Sequence, residues 1–283
     1  MNRPKRIAAI HDLSAFGRCS LTAAIPILSA MGHQVLPVPT AVLSAHTGFS
    51  GFVMRETGNF VSSCLTHWKS IPVEVESIYS GFLARTEQTD DVEHYLSAYP
   101  QALAVVDPVL GDEGAAYATI TSDLVAGMRR LVRRAGIITP NLTEACLLLG
   151  IGYEKKLSLS RAAGLARELC GLGPSLCILT GVDAGEGLYN VCYNREEGRA
   201  FTVRCEYLPI RYPGTGDIFA SVLVGACTAG ASPENAVALA SLFVEEALRE
   251  TIKNGGTPAE GVYFEPVLPA LRQAPPEGRV KWL

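Results

Sequence analysis

The segment 214–217, Gly-Thr-Gly-Asp, combines an anion-binding turn with a proton acceptor. Pro213 precedes it and an apolar run over 218–229 follows it, so the segment predicts a turn at the start of a helix. Backbone N–H groups at a helix start lack intrahelical acceptors and lie at the positive end of the helix dipole, where anions bind. Asp217 could take a proton from a hydroxyl that attacks a bound phosphoryl group. Its local sequence fits a helix-capping role equally well.

Polar residues or glycines also follow the short apolar segments that the sequence predicts as strands. These segments are 7–10, 35–38, 77–80, 103–107, 136–139 and 176–180, and the residues after them include Asp12, His46, Gly81, Asp107, Thr139 and Thr180. Helix-like stretches separate most of the segments, which predicts an α/β fold with three α/β/α layers around a mainly parallel sheet. Because ligands bind at the carboxyl ends of parallel strands, these residues and the 212–217 turn predict one shared crevice.

Two further strands, 188–193 and 199–206, flank a polar turn and are predicted to pair antiparallel. Predicted helices cover 20–31, 55–69, 124–134, a stretch through Leu149, 217–229, 233–253 and about 266–273.

Composition restricts the class of protein. Of the 283 residues, 48% are hydrophobic and 18% charged, as is typical of a compact globular chain. A formal net charge of −4 gives no general reason to bind nucleic acid or an acidic membrane surface. The basic N-terminus lacks the apolar core of a signal peptide, and no apolar run approaches the roughly 20 residues that span a bilayer. The eight cysteines are scattered without a Cys-x-x-Cys pair, so we expect reduced thiols and a cytoplasmic location.

Several common catalytic signatures are absent from the sequence. It has no Gly-x4-Gly-Lys-Ser/Thr loop and no Gly-x-Gly-x-x-Gly after a first strand, which argues against P-loop and dinucleotide sites. It also lacks His-Glu-x-x-His, Gly-x-Ser-x-Gly and the His-Arg-Asp and Asp-Phe-Gly signals of protein kinases.

Six motifs together resemble the pyridoxal kinases, which belong to the ribokinase-like superfamily of ATP-dependent small-molecule kinases. In chain order they are Ser44-Ala-His-Thr-Gly48, Ser80-Gly-Phe-Leu83, Asp107-Pro-Val-Leu-Gly-Asp112, Thr139-Pro-Asn-Leu-Thr-Glu144, Leu179-Thr-Gly181 and Gly214-Thr-Gly-Asp217. The last motif specifies only the superfamily, whereas the His-Thr-Gly loop combined with Asp-Pro-Val-x-Gly-Asp is specific to the pyridoxal branch. The resemblance runs over residues 7–249 and implies a single ribokinase-like kinase domain over 1–283.

The resemblance implies roles for the strand-end residues. Asp217 would be the base that activates the 5′-hydroxymethyl oxygen of the substrate, and the N–H groups of Gly214, Thr215 and Gly216 would stabilise the transferring phosphoryl group. Asp112 and Glu144 would hold Mg²⁺, directly or through water. Asp107 and Thr139 would lie at a metal site that includes a monovalent cation, K⁺ or Na⁺. The expected ATP contacts are Asp107, Tyr117, Asn141, Thr180, Gly181, Gly214 and Gly216, with the adenine near 242–249 and the loop before Pro213. Turn chemistry at strand ends is the alternative for Asp107, Thr139 and Asn141.

For the substrate ring, the resemblance implies a pocket of seven residues, Asp12, Ser14, Leu43, His46, Thr47, Phe82 and Val109. His46 could stack on the pyridine or hydrogen-bond its phenolic oxygen. Two positions depart from the family. Asp12 stands where a serine is common, so its carboxylate could pair with a protonated ring nitrogen or select another heterocycle. Phe82 stands where tyrosine is frequent, which removes a hydroxyl.

The leading hypothesis is therefore phosphorylation of pyridoxal, with pyridoxine or pyridoxamine as further substrates, by a homodimeric enzyme that binds ATP and a small molecule. A hydroxymethylpyrimidine kinase of thiamin metabolism is the nearest alternative, although that branch usually has cysteine in place of Asp217. A sugar kinase is a third. A catalytically inactive vitamin B6-binding protein is the alternative from another class.

Overall fold

The structure is a computed structural model that describes residues 3–206, 208, 212–273 and 278–283. Most of the loop before Pro213, a predicted border of the adenine site, lies outside the described residues.

A ten-stranded mixed sheet forms the centre of this structure. The strands, in chain order, are β1 (Arg6–Ser14), β2 (Gln34–Leu43), β3 (Met54–Glu56), β4 (Ser77–Ser80), β5 (Leu103–Val106), the separate two-stranded hairpin β6 (Gly111–Asp112) and β7 (Ala115–Ala116), β8 (Ile137–Ile138), β9 (Leu176–Asp183), β10 (Leu188–Asn194), β11 (Arg199–Cys205) and β12 (Val280–Trp282). The order across the main sheet is β12-β11-β10-β9-β8-β5-β4-β1-β2-β3.

Helices cover both faces of the sheet. They are α1 (Ser20–Ala30), α2 (Phe60–Ser70), α3 (Glu87–Ala98), α4 (Ser122–Arg134), α5 (Leu142–Leu149), α6 (Leu159–Cys170), α7 (Thr215–Ala229) and α8 (Pro233–Lys253), followed by 3₁₀ segments at Pro258–Glu260 and Glu265–Arg272. Successive residues of β1 point to opposite faces: the buried Ala8 and Ile10 pack with α2 to α6, and the buried Ile7 and Ala9 pack with α1, α7 and α8. The predicted α/β/α layering is confirmed.

The six central strands β2, β1, β4, β5, β8 and β9 run parallel. Antiparallel strands extend both edges, with β3 beside β2 and with β10, β11 and β12 beyond β9. The chain moves from β1 to β2 on one side and later returns to β4 on the other, so the carboxyl ends of β1 and β4 border the topological switch point. Open parallel sheets bind their ligands at such a point.

The structure differs from the sequence prediction in several places. The predicted helix 55–69 begins only at Phe60, because Met54–Glu56 forms strand β3 beside β2. β1 continues to Ser14 instead of ending at Ile10, so the polar residues after Ile10 belong to a strand. The helices α3 and α6 are absent from the prediction; the buried side of α3 includes Gln88 and Thr89, which conceals the apolar periodicity on which such predictions depend. The predicted helix near 266–273 is a 3₁₀ helix, Glu265–Arg272, with prolines inside it.

All eight cysteines are free, as predicted. In the part of the chain that the structure describes, no helix combines the length and the apolar character that crossing a membrane requires.

Candidate active site

The turn before α7 brings unpaired backbone N–H groups to the carboxyl end of the sheet. Gly214 adopts a left-handed conformation with φ of 86°, and the first N–H to find a carbonyl within the helix is that of Ile218, which donates to Gly214 at 3.0 Å. The N–H groups of Thr215, Gly216 and Asp217 therefore have no intrahelical acceptor. Gly216 is exposed, and a Cβ built on it would meet open space. This arrangement can receive an anion.

Asp217 does not cap its own helix. Its Oδ1 lies 2.9 Å from Nε2 of His11, and its Oδ2 accepts a hydrogen bond of 2.9 Å from the backbone N–H of Ser20. The contact with His11 comes from β1, and the bond from Ser20 comes from the start of α1. The carboxylate is thus held by two other elements at the mouth of the anion-binding turn, which removes the capping role as the explanation for Asp217.

His11 lies between two carboxylates. Its Nδ1 is 2.9 Å from Oδ1 of Asp12, and its Nε2 is 2.9 Å from Oδ1 of Asp217. Burial alone would lower the pKa of His11, but the carboxylates of Asp217 and Asp12 outweigh it and raise the pKa to about 10. Burial also opposes ionisation of Asp12, yet the hydrogen bond from His11 holds the pKa of Asp12 below its usual value. The raised pKa of His11 favours the charged form of the ring at neutral pH.

The start of α1 is strained where it meets this cluster. Ser20 has φ of 52°, in the left-handed region that costs a non-glycine residue roughly 1 kcal/mol or more. The strain orients the N–H of Ser20 toward Asp217. Gly214 packs so closely on this loop that a Cβ there would lie 2.0 Å from the carbonyl oxygen of Arg18. The starts of α1 and α7 are thus in direct contact around Asp217.

A second group of polar side chains follows β5 and β8. Thr139 donates its hydroxyl to Oδ1 of Asp107 at 2.8 Å. Burial and then the negative charge of Asp217 raise the pKa of Asp107 to about 7, against the effect of the Thr139 hydrogen bond. Two buried hydroxyls on β4, those of Tyr79 and Ser80, have no hydrogen-bond partner among the described residues. This part of the site therefore combines a carboxyl whose ionisation is opposed with two hydroxyls whose hydrogen-bonding capacity is unused.

Glu144 and Asn141 form a capping box at the start of α5. The amide N–H of Glu144 donates to Oδ1 of Asn141 at 3.0 Å, and that of Asn141 donates to Oε2 of Glu144 at 2.8 Å. Glu144 also accepts a bond of 3.2 Å from the N–H of Leu110, and Asn141 donates its amide to the carbonyl of Gly111. Burial, followed by the charge of Asp107, raises the pKa of Glu144.

The predicted magnesium residues fit an ion that keeps most of its waters. Asp112 is exposed in the β6–β7 hairpin, and both oxygens of Glu144 already accept backbone N–H bonds. Among the described residues, no three His, Cys, Asp or Glu side chains come together closely enough to enclose a metal ion. Mg²⁺ bound by one or two carboxylates, waters and substrate phosphates needs no such cage. The carboxylates of Asp112 and Glu144 offer oxygen atoms of the kind that Mg²⁺ prefers.

The predicted ring-binding residues are divided between the site wall and the protein interior. Leu43 is buried and pairs with Ser14 across β2 and β1, whereas Val109 is half-buried and Thr47 is exposed. Phe82 is buried, and its N–H lies 3.3 Å from Nδ1 of His11.

Asp12 has a different partner from the one predicted. One carboxylate oxygen contacts His11, and the other accepts the hydroxyl of Ser14 at 3.0 Å. The Asp12 side chain is buried, so it serves His11 instead of offering a free carboxylate to a protonated ring nitrogen.

His46 is also engaged by the protein. Its Nε2 donates to the carbonyl of Ala259 at 3.1 Å, and its Nδ1 accepts the N–H of Gly48 at 3.1 Å. The ring packs 4.7 Å from that of Phe49, and a Cβ on Gly17 would collide with it. The predicted hydrogen bond to a phenolic oxygen would therefore require one of these bonds to break. In this arrangement His46 connects its loop to the first loop and to the Pro258–Glu260 segment.

The predicted ATP side of the crevice is adjacent to α5 and α8. Thr180 donates its N–H to the carbonyl of Pro140 at 2.9 Å, and Gly181 is exposed. Tyr117 is 42% exposed. Glu245 of α8 lines a groove of about 540 Å³ at the ends of β10, β11 and β12. Because 242–249 is a predicted border of the adenine, this groove is a candidate for that part of the site.

His11 and Ser20 are the residues that the sequence prediction missed. The one available signal was that His11 directly precedes Asp12 at the end of a predicted strand. Its contact with Asp217 joins residues 206 positions apart, and the contact of Ser20 joins residues 197 apart.

Comparison with known proteins agrees with this geometry. The profile of a family described as phosphomethylpyrimidine kinase matches residues 20–260. A solved putative phosphomethylpyrimidine kinase from Bacteroides thetaiotaomicron, crystallised with pyridoxal, is 37% identical, with 99% of this chain and 100% of that chain covered and a TM-score of 0.95. Pyridoxal kinase from Lactobacillus plantarum is 30% identical, with coverage of 95% and 97% and a TM-score of 0.88. Pyridoxal kinase PdxY of Rubrobacter xylanophilus is 29% identical over 272 residues, 88% of each chain. The predicted resemblance and the ribokinase-like fold are confirmed.

Alanine in place of either glycine of the turn should have a different effect: at Gly214 it should lower stability, and at Gly216 it should lower activity. Gly214→Ala introduces a left-handed alanine and a Cβ 2.0 Å from a backbone oxygen, so we expect it to lower the free energy of unfolding by about 1–2 kcal/mol or more. Gly216→Ala places its methyl group in open space, so stability should hold while phosphoryl transfer falls by up to about 100-fold. Thermal unfolding and a kinase assay on both variants measure these effects. Equal stability losses would contradict the description of the turn.

Stability should depend on pH through His11. The pKa of His11 is raised above 6.5 by folding, so its contribution is complete below about pH 6.5 and is lost as the pH rises through about 10. The difference in unfolding free energy between the wild type and His11→Gln should shrink over that window. His33→Gln is the control, since burial lowers the pKa of His33 and its contribution changes only below about pH 6.5. Denaturant titrations across pH measure both. A pH-independent difference for His11→Gln would refute the imidazolium.

Proposed function

This chain belongs to the phosphomethylpyrimidine kinase family, and we propose that it transfers the γ-phosphoryl group of ATP to the 5′-hydroxymethyl oxygen of pyridoxal. The observation that carries the proposal is the position of Asp217. Its carboxylate is held by His11 and Ser20 at the mouth of the turn whose N–H groups have no intrahelical acceptor. A base and an anion-binding turn side by side are the parts that transfer of a phosphoryl group to an alcohol requires.

The reaction follows from these parts. Asp217 accepts the proton of the hydroxymethyl group as the oxygen forms its bond to the γ-phosphorus. The bond between that phosphorus and the β,γ-bridging oxygen breaks, and ADP leaves with the electron pair. The N–H groups of Thr215, Gly216 and Asp217 stabilise the charge on the equatorial oxygens of the phosphoryl group in flight, and the α7 dipole adds to this effect.

Asp112 and Glu144 would hold Mg²⁺ through water, with Asp107 and Thr139 at the neighbouring cation site. When bound, these ions neutralise the charge of the ATP phosphates. The crowding of Asp107, Glu144 and Asp217 supports this assignment, because the raised pKa values of Asp107 and Glu144 record carboxyls whose negative charge is not yet compensated.

Pyridoxal is favoured over hydroxymethylpyrimidine by two observations. The Bacteroides protein, 37% identical to this chain, was crystallised with pyridoxal although its description names the pyrimidine. Relatives over most of the chain carry the name pyridoxal kinase. The pyrimidine kinase remains the second candidate because the matched family profile bears its name. Pyridoxine and pyridoxamine, which share the hydroxymethyl group, are further substrates of the same proposal.

The remaining parts of the proposal concern the whole chain. A single kinase domain over 1–283 is supported by the continuous ten-stranded sheet. The proposal also includes a homodimer with ATP and a small molecule as its ligands, acting in the cytoplasm, a location that the free cysteines support.

Replacing the base tests the mechanism. We expect Asp217→Asn to lower kcat by roughly 10² to 10⁴, the range for loss of a general base, because asparagine cannot accept the hydroxymethyl proton. The amide remains isosteric, so the dissociation constant for pyridoxal should change little. Steady-state kinetics and calorimetric titration measure the two quantities. A variant with unchanged kcat would exclude Asp217 as the base.

A substrate panel tests the identity of the reaction. With ATP and Mg²⁺, the wild-type protein should phosphorylate pyridoxal with a higher kcat/KM than hydroxymethylpyrimidine or ribose, as measured by ADP release and by mass spectrometry of the product. A preference for hydroxymethylpyrimidine would replace the first candidate by the second. Tight pyridoxal binding without ADP release would instead identify a binding protein.

A further inference from the structure

We infer that His11 is a positioning residue for Asp217: clamped between Asp12 and Asp217 as an imidazolium, it fixes the carboxylate of the base in one orientation and offsets its charge when the polyphosphate arrives. The inference rests on the proposed function, since it assigns His11 a task in the same reaction.

The two carboxylate contacts favour a proton on each ring nitrogen of His11. Oδ1 of Asp12 lies 2.9 Å from Nδ1, and Oδ1 of Asp217 lies 2.9 Å from Nε2. A carboxylate oxygen and an unprotonated ring nitrogen both present lone pairs and would repel each other at that distance. Each contact is therefore an N–H donated to a carboxylate, the strong charge-assisted kind of hydrogen bond. The backbone N–H groups of Asp12 and Phe82 also lie 2.9 and 3.3 Å from Nδ1 and would donate to it in a neutral ring. We infer the imidazolium because a neutral ring would leave the carboxylate of Asp12 facing a lone pair at 2.9 Å.

The ring has no freedom to turn away from this arrangement. The His11 side chain is buried, with 1% of its surface exposed. On the adjacent strand β4, the ring of Tyr79 meets the imidazole edge-on at a centroid distance of 6.0 Å. A Cβ on Gly81 would lie 1.9 Å from the imidazole, so the absence of a side chain there provides the room for the ring. Both carboxylate oxygens of Asp217 are consequently held, one by His11 and one by the N–H of Ser20. The lone pairs that remain are those available to a substrate hydroxyl.

The charges that surround His11 explain why an imidazolium is useful there. Asp12 lies on the same strand as His11, and Asp217 faces His11 from α7. Asp107 acts on His11 from the end of β5, and the neutral Tyr79 meets it from β4. With one positive charge, the Asp12–His11–Asp217 cluster carries a net charge of −1 instead of −2. ATP brings several negative charges to the adjacent turn, so a base without this compensation would repel the group that it must approach.

The kinetic test uses a double-mutant cycle. We expect His11→Ala to lower kcat for pyridoxal by about 10- to 100-fold, the effect of misplacing a reacting group, and His11→Gln, which keeps a neutral donor, to lower it less. In the Asp217→Asn background, where the base is already absent, His11→Ala should cost no more than about 2-fold. His33→Ala is the matched control, because His33 is a buried histidine bonded to the carbonyl of Gly225 and lies outside the site. It should leave kcat unchanged in both backgrounds.

Single-turnover transfer from γ-labelled ATP keeps the slow variants measurable. If His11→Ala costs the same factor with and without Asp217, His11 acts independently of the base and the inference is overturned. The same holds if the loss appears only in KM for pyridoxal, which would make His11 a binding residue.

A spectroscopic measurement on the wild-type protein, with one variant for comparison, separates this inference from the proposed function. In a ¹⁵N spectrum, both nitrogens of His11 should be protonated at pH 7.5 and remain so to about pH 9, and Asp12→Asn should bring the loss of the proton to lower pH. A neutral ring at pH 7.5 would refute the inference even in an active pyridoxal kinase. An imidazolium in a protein that fails to phosphorylate pyridoxal would instead refute the substrate and leave the clamp in place.

Discussion

A positive charge held between the buried carboxylate of Asp12 and the partly buried carboxylate of Asp217 is the interaction on which the site depends. His11, within β1, contacts Asp12 beside it and Asp217 at the start of α7, and the N–H of Ser20 at the start of α1 also bonds Asp217. Breaking a buried ion pair of this kind leaves an uncompensated charge, which costs several kcal/mol. The cluster therefore joins three elements at the switch point of the sheet and keeps the base in place before any substrate binds.

The other side of the crevice has the opposite electrostatic character. Asp107 and Glu144 are buried, and burial together with neighbouring negative charge raises the pKa of both, against a smaller opposing effect of His11 on Asp107. Such a site destabilises the empty protein and attracts cations. In the proposed function, Mg²⁺ bound together with the ATP phosphates would supply the positive charge that this side lacks. The empty site thus lowers the stability of the folded protein, and bound cations would restore it.

Local patterns predicted the layers and the crevice well, and long-range contacts account for what they missed. Apolar strands followed by Asp107 and Thr139 indicated a shared edge, and the structure joins these two residues at 2.8 Å. The partner of His46 is Ala259, more than two hundred residues away. The contact of His11 with Asp217 depended on β1 continuing past Ile10, which no local signal indicated. The strained φ of Ser20 likewise comes from tertiary packing and not from propensity.

The most direct test of the account is a crystal structure with pyridoxal and a non-hydrolysable ATP analogue bound together with Mg²⁺. The account predicts that a carboxylate oxygen of Asp217 lies within about 2.6–3.2 Å of the 5′-hydroxymethyl oxygen. It also predicts that the terminal phosphate meets the N–H groups of the Gly214–Asp217 turn while the bonds to His11 and Ser20 persist. A hydroxymethyl group that points away from Asp217, or a terminal phosphate bound elsewhere, would contradict it.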